Sequence, residues 1–156
     1  MDKIQNDFVL SVLDTAQDLT LATIRPDGYP QATTVSFAHR DMTIFVGIGK
    51  ASQKAENIRR NSKVSLTVNL PYHDWRQIRG LSMSATAELL DDPREAAVAA
   101  ACLERRFPAV QEWVGPNMAQ EIAFVRIQPQ MVSVIDYSKG FGHTELVSAR
   151  SFGEIG

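Results

Sequence analysis

The chain has 156 residues, a formal charge of −2 and a pI near 5.9, with 44% hydrophobic against 22% charged residues, the profile of one ordinary globular domain over positions 1–156. Its mild acidity excludes nucleic acid as the main partner, which needs a basic face, and no apolar run approaches the roughly 18 residues that span a membrane. The single cysteine, Cys102, suits a reducing, cytoplasmic compartment, and the opening MDKIQNDFVLSVLD has no cleavable signal pattern.

Ile4, Phe8, Val12 and Ala16 recur at i, i+4 spacing, widened by Val9 and Leu13, and predict an amphipathic first helix. LTLATI and PQATTVSF, joined by the turn chemistry of RPDGYP, predict a hairpin. In MTIFVGI, Ile44, Val46 and Ile48 share one face, while Gly47 and Gly49 permit close backbone approach. Ser52 is a favoured N-cap type for a short helix through NIRRN. VSLTVNL then alternates strictly, as an antiparallel strand with one buried face does.

After the loop PYHDW, RQIRGLSMSATAELL reads as a long strand with Leu81, Met83, Ala85, Ala87 and Leu89 on one side and a bulge at Gly80. DDPRE opens a helix with Asp92 as N-cap, Pro93 at N1 and Glu95 at N3; Ala96, Ala99, Ala100, Leu103 and Phe107 form its buried stripe. Cys102 falls among these small apolar residues and reads as a structural thiol. IAFVRI and MVSVID flank QPQ as a last hairpin-like pair, and the tail over 138–156 reads as irregular. The expected class is mainly β: about seven strands, mostly in hairpins, forming a small antiparallel barrel with three peripheral helices. The order contains no repeated βαβ unit, which excludes a doubly wound parallel fold.

His39, His73 and His143 are widely separated, so no metal site is expected. Nucleophile elbow, dinucleotide fingerprint, Walker loop and H-E-x-x-H motifs are all absent. Chemistry, if present, then belongs to a bound cofactor. GKASQKAENIRRN places Lys50 and Lys54 at the start of a helix, where the dipole disfavours cations. A phosphate bound there turns the arrangement favourable; solvated surface lysines are the alternative.

DGYPQATTVSF followed by TIFVGIGKASQKAENIRRNSKVSLTVNLPYHDWRQIRGLSMSATAELL, with S-x-K at 52–54 and Arg-Gln at 76–77, resembles the pyridoxamine 5′-phosphate oxidase-like family of FMN-binding split barrels over residues 5–137. The tail KGFGHTEL is similar to that of its small stress-protein-like members. The resemblance implies a six-stranded split antiparallel β-barrel, a homodimer with FMN in clefts at the subunit interface, and an oxidoreductase acting on a small-molecule substrate by hydride transfer. Ser52 and Lys54 match positions that hold the FMN phosphate; Thr33, Thr34, Val35 and Ser36 match the strand lining the flavin; Gly47 and Ile48 match the strand end beside it; Gln77 matches a cofactor-contacting glutamine.

Gln53 completes the cofactor-binding set, yet the vitamin-processing oxidases carry arginines where this chain has Gln53 and Thr33, and VSARSFGEIG has no counterpart of their C-terminal segment. Without those guanidinium groups, phosphate binding is weaker or is compensated by Arg25, Lys50 or a partner subunit, and oxidation of pyridoxamine phosphate is not the expected activity. No catalytic residue is assigned. Taken singly, Thr33 and Ser36 also read as solvent-facing strand residues, Gln77 as a loop-backbone partner, and Trp75 and Tyr72 as packing. Three alternatives stay open: a deazaflavin enzyme with Lys50, Lys54, Arg59 and Arg60 around a longer anionic tail, a flavin- or haem-binding stress protein with His143 as axial ligand, and a dimeric scaffold without cofactor.

Overall fold

In a computed structural model, which describes residues 1–109 and 118–149, the strands are β1 (Asp18–Ile24), β2 (Pro30–Arg40), β3 (Thr43–Gly49), β4 (Lys63–Asn69), β5 (Arg79–Leu89), β6 (Ile122–Asp136) and β7 (Thr144–Ser148). The longer helices are α1 (Lys3–Thr15), α2 (Gln53–Arg60) and α3 (Pro93–Arg106). The sheet runs β3-β2-β1-β4-β5-β6-β7, and a further β3–β6 pairing closes its first six strands into a barrel with β7 outside. Every ladder is antiparallel.

Strand alternation decides inside from outside. Leu19 and Leu21, Val64, Leu66 and Val68, and Leu81, Met83, Ala85 and Ala87 all point into one core. Helix α1 adds Val9, Val12 and Leu13 to it, and α2 adds Ala55 and Ile58. Helix α3 packs on β2, β3 and β6, where Ala99 and Cys102 meet Ala38 and Phe45 in a second, smaller cluster. Asp92 accepts a hydrogen bond from the Arg94 amide and Pro93 stands at the helix start, as DDPRE predicts.

The C-terminal carbonyls of α1 need donors from elsewhere. Arg106 supplies them, donating to Leu13 O at 2.9 Å, to Asp14 O at 3.3 Å and to Ala16 O, while its guanidinium lies 4.6 Å over the Phe37 ring. Burial lowers the pKa of this guanidinium, and the Asp14 carboxylate acts against that.

Four sequence expectations change. Residues 122–136 form one strand and no hairpin, because the register slips between Ser84 and Ala85: Ser84 faces Met131 and Ala85 faces Pro129. Pro129, with no amide to donate, thereby sits at an irregularity where a ladder bond is already missing. Gly80 marks no bulge and pairs regularly; a Cβ there would lie 2.7 Å from Asn69 Oδ1 and 2.8 Å from Val68 O, so close strand approach explains the glycine. Ile4 is 78% exposed, leaving Val9, Val12 and Leu13 as the buried stripe of α1. The tail is partly ordered as a 3₁₀ turn (Tyr137–Lys139) and β7, and its residues 150–156 lie outside those described.

Gly80→Ala is expected to cost about 1–3 kcal/mol, read as a lower urea midpoint, because the methyl group can be admitted only by displacing backbone. An unchanged midpoint contradicts the close approach.

Candidate functional site

The ladder between β2 and β3 stops at Phe37↔Val46. Beyond it, β2 continues to pair with β1 down to Pro30, and β3 pairs with β6 up to Gly49. Helix α2 follows β3 directly and contacts β1, β3 and β5. Its buried residues Ala55 and Ile58 enter the core, while Asn57, 0% exposed, donates to Thr23 Oγ1 at 2.9 Å and to Gln31 Oε1 at 3.2 Å. Gln53 Nε2 in turn donates to Asn57 Oδ1 at 2.8 Å. A polar seam therefore fastens α2 to β1 and β2 where the strand ladder is missing.

At the start of α2, Ser52 is the N-cap, accepting from the Ala55 amide at 3.2 Å and donating to Gly49 O at 2.7 Å. The amides of Gln53 and Lys54 precede the first intrahelical acceptors and find no partner among the described residues. Lys54 likewise has no hydrogen-bond or ion-pair partner among the described residues. Glu56 is engaged by Arg59 at 3.5 Å and Arg60 at 3.9 Å, and Arg59 also donates to Lys50 O at 3.1 Å. The arrangement fits a phosphate through two backbone amides, a lysine and the helix dipole. The Ser52 hydroxyl, already donating to Gly49, fits as a cap and not as a free donor.

The four consecutive residues of β2 divide between two faces. Thr34 and Ser36 are exposed on the outer face. Val35 packs against the core, and the Oγ1 of Thr33 is buried without a hydrogen-bond partner. Gly47 is exposed, and a Cβ there would meet Ile122 Cγ2 at 3.3 Å, whereas Ile48 is 3% exposed in the core. Thr34, Ser36 and Gly47 thus present side chain or backbone outward.

Gln77 lies elsewhere. β4 begins at Lys63, just after α2, and ends at Asn69, while Gln77 belongs to a 3₁₀ turn (Trp75–Gln77) in the connection beyond that far end. Its Oε1 accepts from the His73 and Asp74 amides at 3.1 and 3.3 Å, closing a capping box. Within a single chain, Gln77 does not reach α2. Beside it, Trp75 and Phe141 meet edge-on at 5.6 Å, Tyr137 lies 5.7 Å from Phe141, and Arg76 sits 5.8 Å over the indole. Phe141 is 80% exposed and Trp75 48%, so this aromatic group packs on itself and still faces outward.

The sequence matches the family model described as pyridoxamine 5′-phosphate oxidase over residues 7–136. The chain belongs to the pyridoxamine 5′-phosphate oxidase family. No curated protein matches it. Among solved structures of this fold, a conserved hypothetical protein of Mycobacterium tuberculosis is 27% identical, with a TM-score of 0.72 over 96% of this chain and 94% of that one. A haem-binding protein of Mycobacterium smegmatis is 15% identical with a TM-score of 0.78 over 95% of this chain, which spans only 59% of its length. A Clostridium acetobutylicum protein related to general stress protein 26 is 13% identical, with a TM-score of 0.70 over 96% of this chain and 97% of that one.

In this family member, sequence reasoning missed the seam of Thr23, Gln31 and Asn57. Its signal was legible as polar residues in apolar places: Thr23 continues the inward alternation of Leu19 and Leu21, and Asn57 lies between the buried Ala55 and Ile58.

Asp136 anchors the aromatic end of the barrel. It accepts from the Ser138 amide at 3.0 Å and Ser138 Oγ at 2.5 Å, with Arg79 at 3.7 Å. Burial pushes its pKa up, but the Ser138 bonds and Arg79 outweigh that and hold it below the ordinary carboxylate value. A depressed folded pKa means that this stabilisation is present above the ordinary value and drains as pH falls toward the lower folded one. Asp136→Asn is expected to flatten the acid side of the stability–pH curve in that window, measured by urea titration. An equally steep acid limb in the variant contradicts the assignment.

Proposed function

We propose that the chain is an FMN-binding oxidoreductase that works as a homodimer on a small organic substrate. The observation that carries this reading is the start of α2, where the amides of Gln53 and Lys54 and the Lys54 side chain have no partner among the described residues. Lys54 and the amides of Gln53 and Lys54 bind the phosphate, and Ser52 holds the helix start in place. Thr34, Ser36 and the backbone at Gly47 support the flavin ring, while Thr33, Val35 and Ile48 shape that wall from inside the barrel. Bound there, FMN supplies hydride transfer, and the protein's part is to hold and orient it.

Gln77, already capping its own turn and beyond the far end of β4, reaches a cofactor only from a second copy. The outer sheet face supports such a partner. Thr34, Ser65 and Ser84 are small and exposed, and Leu146, 67% exposed, and Met131, 38% exposed, lie at its β6–β7 side. A reducing, cytoplasmic setting agrees with the free thiol of Cys102.

FMN is favoured over a deazaflavin because Arg59 and Arg60 are occupied by Glu56 and leave less charge for a longer anionic tail. Haem is the weaker reading: solved structures of haem-binding and haem-storage proteins share 15% and 21% identity, levels that carry fold and not ligand, and His143 Nε2 already lies 3.3 Å from Glu145.

Purified protein mixed with excess FMN and desalted is expected to keep the flavin's visible absorption, and Lys54→Ala to weaken FMN binding roughly tenfold or more. Protein that keeps no FMN, or that binds deazaflavin in its place, contradicts the reading, and a Soret band abolished by His143→Ala establishes the haem alternative.

A further inference from the structure

We infer that Asn57 is a positioning residue for the phosphate-binding end of α2, a role that rests on the FMN reading above. Its side chain is 0% exposed, so it touches no ligand itself. It is nevertheless the hub of the seam: both of its N–H donors are spent on separate strands, at Thr23 Oγ1 on β1 and Gln31 Oε1 on β2, and its carbonyl receives Gln53 Nε2. Gln53 is the first residue of α2, one turn before Asn57 and between Ser52 and Lys54.

Displacement of Asn57 therefore reaches the cradle through one covalent turn of helix and one side-chain bond. The apolar neighbours Ala55 and Ile58 can hold the helix in the core, but greasy contacts tolerate sliding and rotation that directed hydrogen bonds do not. The missing β2–β3 ladder beyond Phe37↔Val46 leaves no backbone bonds between those strands to fix the same geometry. The seam thus sets the orientation of the Gln53 and Lys54 amides, whose direction decides how well a phosphate is held.

The test compares FMN with riboflavin, which lacks the phosphate, by quenching of flavin fluorescence in the full chain. Asn57→Ala is expected to lower FMN affinity roughly tenfold while changing riboflavin affinity less than about twofold, so that the preference for FMN collapses. Thr23→Val, which keeps side-chain shape and removes one acceptor of the hub, is expected to move the preference the same way by about threefold, and it alone decides if Asn57→Ala does not fold. Equal losses for both flavins, or an unchanged preference in folded variants, overturn the positioning role, since a purely structural residue acts on both ligands alike. Wild-type protein that binds neither flavin overturns the FMN reading itself and this role with it, whereas a wild type that prefers FMN beside insensitive variants overturns the positioning role alone.

Discussion

Where the ladder between β2 and β3 ends at Phe37 and Val46, the barrel has to be completed by something other than a strand. Buried polar backbone and open apolar interior both carry a cost, and the chain meets both with α2. Ala55 and Ile58 close the core, and Asn57 bonds to β1 and β2. The same constraint fixes where α2 must begin: a short turn after Gly49, with the amides of Gln53 and Lys54 unspent among the described residues. A structural repair thus leaves a helix start at the opening of the sheet, where the proposed phosphate site lies.

The rest of the molecule is arranged around that opening. Strand β6 makes it possible by pairing with β3 over Ile122–Ile127, with β5 along nearly its whole length, and with β7 over Met131–Ile135. Arg106 ties the end of α3 to the end of α1 over Phe37, which keeps α3 on β2 and β3 and away from the faces of β1 and β4. Those faces carry small residues such as Ala22, Ser65 and Thr67. A sheet face built of small side chains admits a flat ligand or a second protein closely, which is why the proposed site and the proposed dimer share it.

Much of this was legible in the sequence because it depends on period alone. VSLTVNL and LSMSATAEL could bury only one face, and DDPRE could only start a helix. The helix start at GKASQK, where a phosphate is proposed to bind, stood out through a local conflict, two lysines at the positive end of a helix. What failed was non-local. IAFVRIQPQMVSVID resembles two strands and a turn until β5 supplies a register slip that accommodates Pro129. Gly80 looks like a bulge until Asn69 and Val68 stand against it. For the site, neighbours in sequence proved to be on opposite faces: Thr33 and Val35 inside, Thr34 and Ser36 outside. Gln77 entered the candidate set by likeness alone, and within one chain it lies beyond the far end of β4 from α2.

The central claim is a flavin site completed between two copies of the chain. Sedimentation velocity followed at the flavin's visible band tests it most directly. The account predicts that flavin absorption travels with a species of twice the 17.3 kDa chain mass and is released as dilution dissociates that species. Flavin travelling with the single chain, or a dimer that carries none, contradicts it.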